Sequence, residues 1–520
     1  MFKVKRVIIA LLFFITLQNF FISCNSYDRN KSHADIPDSN IRAGEKLAKQ
    51  YCQSCHLLPD PSQLDAKTWE EGALPAMGPM LGIFKHLYHN YPSGKNDRDL
   101  DSNYYPKKPL LTPEEWQAII NYYSATSPDS LIIEKQKIQV TQGLPGFYYV
   151  PTSFKVASPT SSYVKIDTAA HMFLLADLFT KYLYRFDSKL NLVDSVNTNA
   201  AVVDIEFSKN KMILCNIGEI NPNNKKLGTG NFINTGTDGK LKTDTAALLT
   251  QLARPVQISS ADFNKDGITD YVVCEFGFLQ GSLSIYFGNK NNGFTKQVLR
   301  FLPGAEKVYI DDYNKDGLPD IWALLAQGDE CIFLYTNKGN GKFDEQRILR
   351  FPSMYGSTFF ELVDFNKDGY NDIIYTCGDN ADYSRVLKPY HGIYIYLNDG
   401  KNNFKQQYFY HMNGCYKALA RDYDNDGDVD IAAISFFADY AKNEDEGFLY
   451  LENNGSYTFK PYSLPQGRAG RWLTMEAGDL DGDGKIDLVL GNFSYGPVMM
   501  RPKVDWVKGA SFLFLKNTGR

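Results

Sequence analysis

The sequence predicts a multidomain chain in which a small all-α domain is followed by an all-β propeller, seven-bladed. Three observations predict it. Five acidic strings of the form D-x-[DN]-x-D-G-x-x-D recur at intervals of 50, 52, 58 and 57 residues, from Asp262 onward. Apolar, strand-length runs separated by turn residues follow each string. Helical spacing of apolar residues is found instead around residues 40–55 and 112–125. The composition agrees, since 34 Tyr, 34 Phe and 40 Gly in 520 residues suit short strands and tight turns. A hydrophobic fraction of 43% excludes disorder of the whole chain. The formal net charge of -5 lacks the basic surplus of a nucleic-acid binder. Eight cysteines in this length are too few for a disulfide scaffold.

Residues 1–23 read as a signal peptide. Lys3, Lys5 and Arg6 precede an apolar run from Val7 to Ile22, shorter than the roughly 20 apolar residues of a spanning helix. Ser23 then stands before Cys24, and the pair resembles the lipobox of bacterial lipoproteins, with Phe21 in place of the usual Leu. That resemblance implies lipidation of Cys24 and a lipid anchor in a Gram-negative envelope. Asn25 carries no Asp-type retention signal, so the outer membrane is the expected site. Residues 24–39 are polar and read as a tether.

The small domain is expected over residues 40–130. Cys52-Gln53-Ser54-Cys55-His56 is a CxxCH string. Two thiols three positions apart on one turn can form thioethers to the two vinyl groups of one heme, with the adjacent His ligating iron. A redox pair would want a βαβ context, and a zinc site a second ligand pair nearby. Upstream, Ile41, Leu47 and Tyr51 fall near one helical face, and Gly44 permits close helix contact. Downstream, Thr112-Pro113-Glu114-Glu115 is a capping box that opens an aromatic helix containing Trp116, Ile119, Ile120, Tyr122 and Tyr123. A helix on each side of CxxCH resembles a small class I cytochrome c domain. The resemblance implies covalent heme c on Cys52 and Cys55, and iron held by His56 and Met77. Met80 is the alternative, in the Pro/Gly-rich segment 74–82, and His86, His89 or an open position follow.

The acidic strings have the chemistry of a cation loop. Side-chain oxygens would come from position 1 (Asp262, Asp312, Asp364, Asp422, Asp479), position 3 (Asn264, Asn314, Asn366, Asp424, Asp481) and position 5 (Asp266, Asp316, Asp368, Asp426, Asp483). Position 9 adds Asp270, Asp320, Asp372, Asp430 and Asp487. Backbone carbonyls would come from Ile268, Leu318, Tyr370, Asp428 and Lys485 at position 7. An EF-hand is rejected, because position 12 holds Val273, Ala323, Tyr375, Ala433 and Leu490 instead of Glu, and strands follow. Calcium, up to five ions, suits this ligand number better than magnesium. A period of 50–58 residues with four strands per unit is that of a propeller blade. The units resemble FG-GAP/VCBS repeats. Two further blades without the motif are expected around 164–196 and 202–252. A strand at about Phe147–Val156 should complete the last blade, so the propeller spans 147–520 and 131–146 is a linker.

These parts together imply a membrane-anchored c-type cytochrome that carries one electron at a time, with a calcium-stabilised propeller as docking or ligand platform. A propeller dehydrogenase for sugars or alcohols that feeds its own heme is one alternative. A surface glycan-binding or adhesion protein is another. Expected partners are a redox protein or small-molecule donor, the lipid bilayer through Cys24, and a carbohydrate ligand, but no nucleic acid. No flavin or quinone signature is present, and no nucleophile–His–acid set can be assembled, so the catalytic residues are unknown. His171, His391, His411, Arg254 and Arg471 read as hydrogen-bonded loop residues that are candidates to line a pocket. Cys215, Cys274, Cys331, Cys377 and Cys415 are odd in number and read as buried free thiols.

Overall fold

The computed structural model describes residues 27–133, 138–208, 211–381, 384–496 and 503–519. Cys24 and the apolar leader lie outside the described residues.

Seven antiparallel sheets form a ring. Their first strands are Ser161–Asp167, Val202–Ser208, Pro255–Ala261, Ala305–Asp311, Ser357–Val363, Cys415–Arg421 and Trp472–Gly478. First strands of neighbouring blades pack against one another, and Trp472–Gly478 against Ser161–Asp167 joins blade seven to blade one. In blades three to seven every residue of the second strand is buried: Asp270–Glu275, Asp320–Leu325, Asp372–Cys377, Asp430–Ser435 and Asp487–Asn492. That is why these strands read as continuous apolar runs; both faces are covered by adjacent blades. Fourth strands such as Phe343–Arg350 are polar and largely open to solvent. The two motif-free blades are present at Ser161–Asn197 and Val202–Leu252.

The ring is closed by a strand from the other end of the propeller sequence. Phe147–Val150 pairs antiparallel with Phe512–Asn517, in register Phe514↔Val150 to Asn517↔Phe147. The expected 147–156 strand therefore occupies only its first four residues. The expected linker 131–146 is partly structural as well. Thr141–Gln142 pairs in parallel with the outer strand of blade six, and Gly143 N donates to Ser463 O at 2.9 Å. An exposed sheet edge is thereby covered.

The N-terminal unit is built on α1 (Asp38–Tyr51) and α2 (Pro113–Thr126). They cross at Gly44, where a Cβ would lie 1.9 Å from the carbonyl oxygen of Ala118. The capping box forms: Glu115 N donates to Thr112 Oγ1 and Thr112 N to Glu115 Oε2, at 3.2 and 2.8 Å. Ile41, Ala48, Leu64, Trp69, Trp116, Ile119 and Tyr123 make the core.

Three expectations about this unit need correction. It is not purely helical, because Lys85–His86 and His89–Asn90 pair as a small hairpin. It is not separate, because Met354 and Val386 of the propeller pack against its core and Tyr390 Oη donates to Gln63 O at 3.0 Å. It also begins before residue 40. The Asn30 amide donates to Ser124 O and Ser127 O at 2.5 and 2.7 Å, and Asn30 N to Ala125 O at 3.0 Å. Polar residues read as tether thus satisfy carbonyls at the end of α2, which have no partner within the helix. Among the described residues, no helix is long and apolar enough to cross a membrane.

Candidate functional site

Three places concentrate chemistry: the acidic loops on one face of the ring, the CxxCH segment, and a cavity on the ring axis that opens on the opposite face.

Each acidic loop joins the first strand of its blade to the second. In blade three, Gly267 N donates to Asp262 Oδ2 (2.9 Å), Asp266 N to Asn264 Oδ1 (3.0 Å) and Ile268 N to Asp266 Oδ1 (2.8 Å). The same bonds recur in blades four and five. Wrapping the chain this tightly requires left-handed backbone at position 4 and again at the position 6 glycine, as at Lys265 (φ 58°) and Gly267 (φ 82°). Oxygens of positions 1, 3 and 5 converge: one from each of Asp422, Asp424 and Asp426, and one from each of Asp479, Asp481 and Asp483, lie within 4.8 Å of one another.

Two observations show that these sets suit a cation. Asp422 Oδ1 is buried without a hydrogen-bond partner among the described residues. In blade seven the Lys516 ammonium sits against Asp481 and Asp483, a positive charge drawn into the cluster. Position 9 is different. Asp270, Asp320, Asp372, Asp430 and Asp487 are all fully buried, and they accept backbone N–H bonds, as Asp270 does from Phe263 N and Gly288 N at 2.9 Å. Burial raises these carboxyls, Asp320, Asp430 and Asp487 to about 6.

One set of residues in these loops was not singled out from the sequence. Asn337 Nδ2 donates to Pro319 O within its own blade and to Phe263 O of the preceding loop, at 3.1 and 2.9 Å. Asn517 Nδ2 does the same with Ile486 O and Tyr423 O, at 3.1 and 2.7 Å. These two amides tie the loops of blades four and seven to the preceding ones, while Asn398 and Asn453 bond Asn371 O and Val429 O of their own blades. Their signal is an Asn-x-Gly at the end of the third strand, in blades four to seven.

The CxxCH segment leaves the C-terminal end of α1. Cys52 is buried in the core that Met77 also packs against, while Cys55 is exposed. Burial pushes the Cys52 thiol up to about 12, the opposite of the activated thiolate of a redox dithiol. His56 Nδ1 lies 2.7 Å from Leu57 O. A carbonyl only accepts, so Nδ1 carries the proton and Nε2 keeps its lone pair. Among the alternative ligands, Met80 is 43% exposed, His89 is exposed, and His86 Nε2 is engaged with Gln117 Oε1 at 2.8 Å. Burial holds His56 below its usual value.

The axial cavity has a volume of about 740 Å³. All seven first strands that surround it carry a β-bulge at their second residue. The bulge re-aims the third residue, and each blade contributes it to the wall: Tyr163, Asp204, Gln257, Lys307, Phe359, Lys417 and Thr474. The mouth is rimmed by residues that follow the second strands, among them Phe276, Gln327, Phe436 and Phe493. It therefore opens away from the acidic loops, on the face where the N-terminal unit docks. There Asn224 Nδ2 donates to Asp97 Oδ2 at 2.8 Å, and Val386 and Tyr390 make the contacts given above.

Arg254 lines the cavity, with its guanidinium on the carbonyls of Gly277 and Ile220. Arg471 stacks 3.7 Å from the Phe436 ring centroid. His171 is on the acidic-loop face, 3.2 Å from Leu480 O, and His391 and His411 lie within blade five. The five propeller cysteines are buried free thiols.

Several acids are held protonated by burial. Glu306, on the cavity wall, is pushed up to about 8, and Glu330 and Glu446 to about 7. The folded chain keeps protons that the unfolded chain, with carboxyls near 4.5, releases. Stability from these groups is full below pH ~4.5 and is lost as pH rises through ~7–8. At saturating calcium the melting midpoint should fall between pH 5 and 8, and Glu306→Gln should flatten part of that fall. An identical slope in the variant rejects the assignment to Glu306.

Comparison with known proteins bears on the ring. The FG-GAP-like repeat family matches residues 262–323, 312–375 and 422–490. Integrin alpha-PS5 of Drosophila melanogaster is 39% identical over 77 residues, which is 13% of this chain and 8% of that protein's length. Among solved structures, Saccharomyces cerevisiae Sqt1 aligns with a TM-score of 0.44 and 7% identity, over 72% of this chain and 98% of Sqt1. The N-terminal domain of Nup159 aligns at 0.42 with 11% identity, over 74% and 98%. The chain is a seven-bladed β-propeller that carries FG-GAP-like repeats in its acidic-loop blades.

Proposed function

We propose that the protein is an exported c-type heme protein that passes one electron at a time, with a calcium-stiffened propeller as platform for a partner or ligand. The observation that carries the heme reading is the CxxCH geometry. Cys52 turns into the core against which Met77 also packs, and the His56 ring is oriented through Nδ1 so that Nε2 is the nitrogen left for iron. In this reading Cys52 and Cys55 hold the porphyrin, His56 and Met77 ligate the iron, and Met80, open to solvent, is the weaker choice. Heme held there would supply one-electron transfer. Calcium would be held by positions 1, 3 and 5 of each loop, with the position 7 carbonyl and the position 9 carboxylate completing the set. Supporting the platform role are the repeat match, the similarity to an integrin alpha chain, and the open cavity on the docking face. Lipid at Cys24 would hold the whole at an envelope membrane.

The test is expression with a c-type heme maturation system, followed by a pyridine hemochrome spectrum of the denatured protein. Heme should stay with the polypeptide through acid–acetone extraction. Cys55→Ala should give a single-thioether spectrum, and the Cys52→Ala/Cys55→Ala pair none. Full extraction of heme from the unaltered protein would overturn the reading.

A further inference from the structure

We propose that the axial cavity of the propeller binds a neutral, polyhydroxylated ring compound, a mono- or disaccharide. The inference rests on the platform part of the reading above and is independent of the heme. At about 740 Å³ the cavity falls within the size range of small-molecule sites.

Its mouth and its wall differ in chemistry. At the mouth, Phe179 and Tyr495 are 53% and 52% exposed and meet edge to face at 5.3 Å between centroids. Two large rings left in water at the rim of a cavity offer flat apolar surfaces to a ligand. Phe436, Phe437 and Phe493 continue that surface inward.

The deeper wall is polar with opposed signs. Asp204 faces the same space as Lys307 and Lys417. One layer further along the first strands, Arg421 pairs with Glu361 at 2.9 Å and Lys165 with Glu476 at 4.0 Å. Charges of both signs line the cavity, Asp204 and Asp379 among Arg254, Lys307, Arg385 and Lys417, so a charged ligand would meet like as well as opposite charge on this wall. Hydroxyl groups, which both donate and accept, match it at every position, with Gln257 and Thr474 adding neutral partners. The Lys417 ammonium lies 5.1 Å over the Phe359 ring, so one ligand ring can meet an aromatic face and a donor together. A sugar has that pairing of properties: apolar C–H faces and a rim of hydroxyls. A charged sugar adds a charge that meets a like charge on this wall, and a plain aromatic compound leaves the charged wall without partners.

Isothermal calorimetry on the full chain, saturated with calcium, tests this. The probes are glucose, galactose, N-acetylglucosamine, maltose and cellobiose, with gluconate and glucosamine as charged counterparts. At least one neutral sugar should bind. Tyr495→Ala and Phe179→Ala should each weaken it about tenfold without moving the melting midpoint, since both rings are exposed. Lys417→Met should abolish measurable heat. The proposal is overturned if no neutral sugar binds at up to about 10 mM, if binding survives both mouth variants, or if gluconate or glucosamine binds more tightly. Heme content is read separately from the absorption spectrum. Sugar binding by a heme-free preparation leaves this proposal standing, and the hemochrome experiment above decides the heme reading on its own.

Discussion

Chelation of calcium should lower the melting midpoint of the propeller by about 17 °C. Five loops, each loaded at free calcium about a hundredfold above its Kd, contribute about 2.7 kcal/mol apiece, or about 13.5 kcal/mol together. For a ring of ~370 residues with an unfolding entropy of ~2.1 cal/mol/K per residue, that becomes a shift of about 17 °C. The physical cause is visible in the loop. Backbone N–H bonds draw the oxygens of positions 1, 3 and 5 together, three carboxylates in blades six and seven and two carboxylates with an Asn amide in blades three to five, and the carboxylates repel one another until a cation enters. Scanning calorimetry in EGTA against millimolar calcium measures the shift. Loops should not contribute equally. In blade six the buried, unpartnered Asp422 Oδ1 leaves the charge uncompensated, whereas in blade seven Lys516 already lies against Asp481 and Asp483. Asp422→Ala should therefore remove more of the calcium-dependent stability than Asp479→Ala. A midpoint unchanged by EGTA rejects a structural role for calcium.

How far sequence alone reached depended on whether a feature is local. The acidic loops are local: Asp262 to Asp270 close on themselves by i to i+4 and i+5 bonds, so nine consecutive letters carry the geometry. The capping box at Thr112 and Glu115 is local too, and its three-residue spacing announces the start of α2. Gly44 was legible for a related reason, since a glycine on a helix face near CxxCH has few uses besides close packing. The cavity was not legible. Its wall takes two neighbouring residues from each of seven strands spread over more than 300 residues, at a bulge that leaves no mark in composition. Glu306 and Lys417 look like ordinary strand charges until the ring closes around them. The early packing of Asn30 was missed for the opposite reason: a polar residue that caps a distant helix end looks the same as one in a tether.

Replacing Phe147–Val150 with Gly and Ser should open the ring. Each propeller blade is a sheet with two edges, and the structure hides one of blade seven's by pairing it with this distant segment. Without it, the strand Phe512–Asn517 would present its backbone from Phe514 to Asn517 unpaired, a template for other chains. The segment also carries side chains into the core. Phe147 lies edge-on to Tyr423 and Tyr450, at 5.8 and 5.7 Å between centroids, and Val150 packs against the cluster of Val164, Phe173 and Phe514. Phe147→Ala alone should cost about 2 kcal/mol, below the fully buried value because the ring is half-exposed, and lower the midpoint by about 3 °C. The four-residue replacement should do something different in kind. Ring closure couples blade seven to blade one, so its loss should split the single cooperative melt and produce concentration-dependent association by sedimentation. Calcium cannot repair this, because an ion held by Asp479–Asp487 supplies no backbone partner for the strand from Phe514 to Asn517. A replacement variant that stays monomeric, with one sharp transition at the original temperature, would show that the first strands alone hold the ring shut.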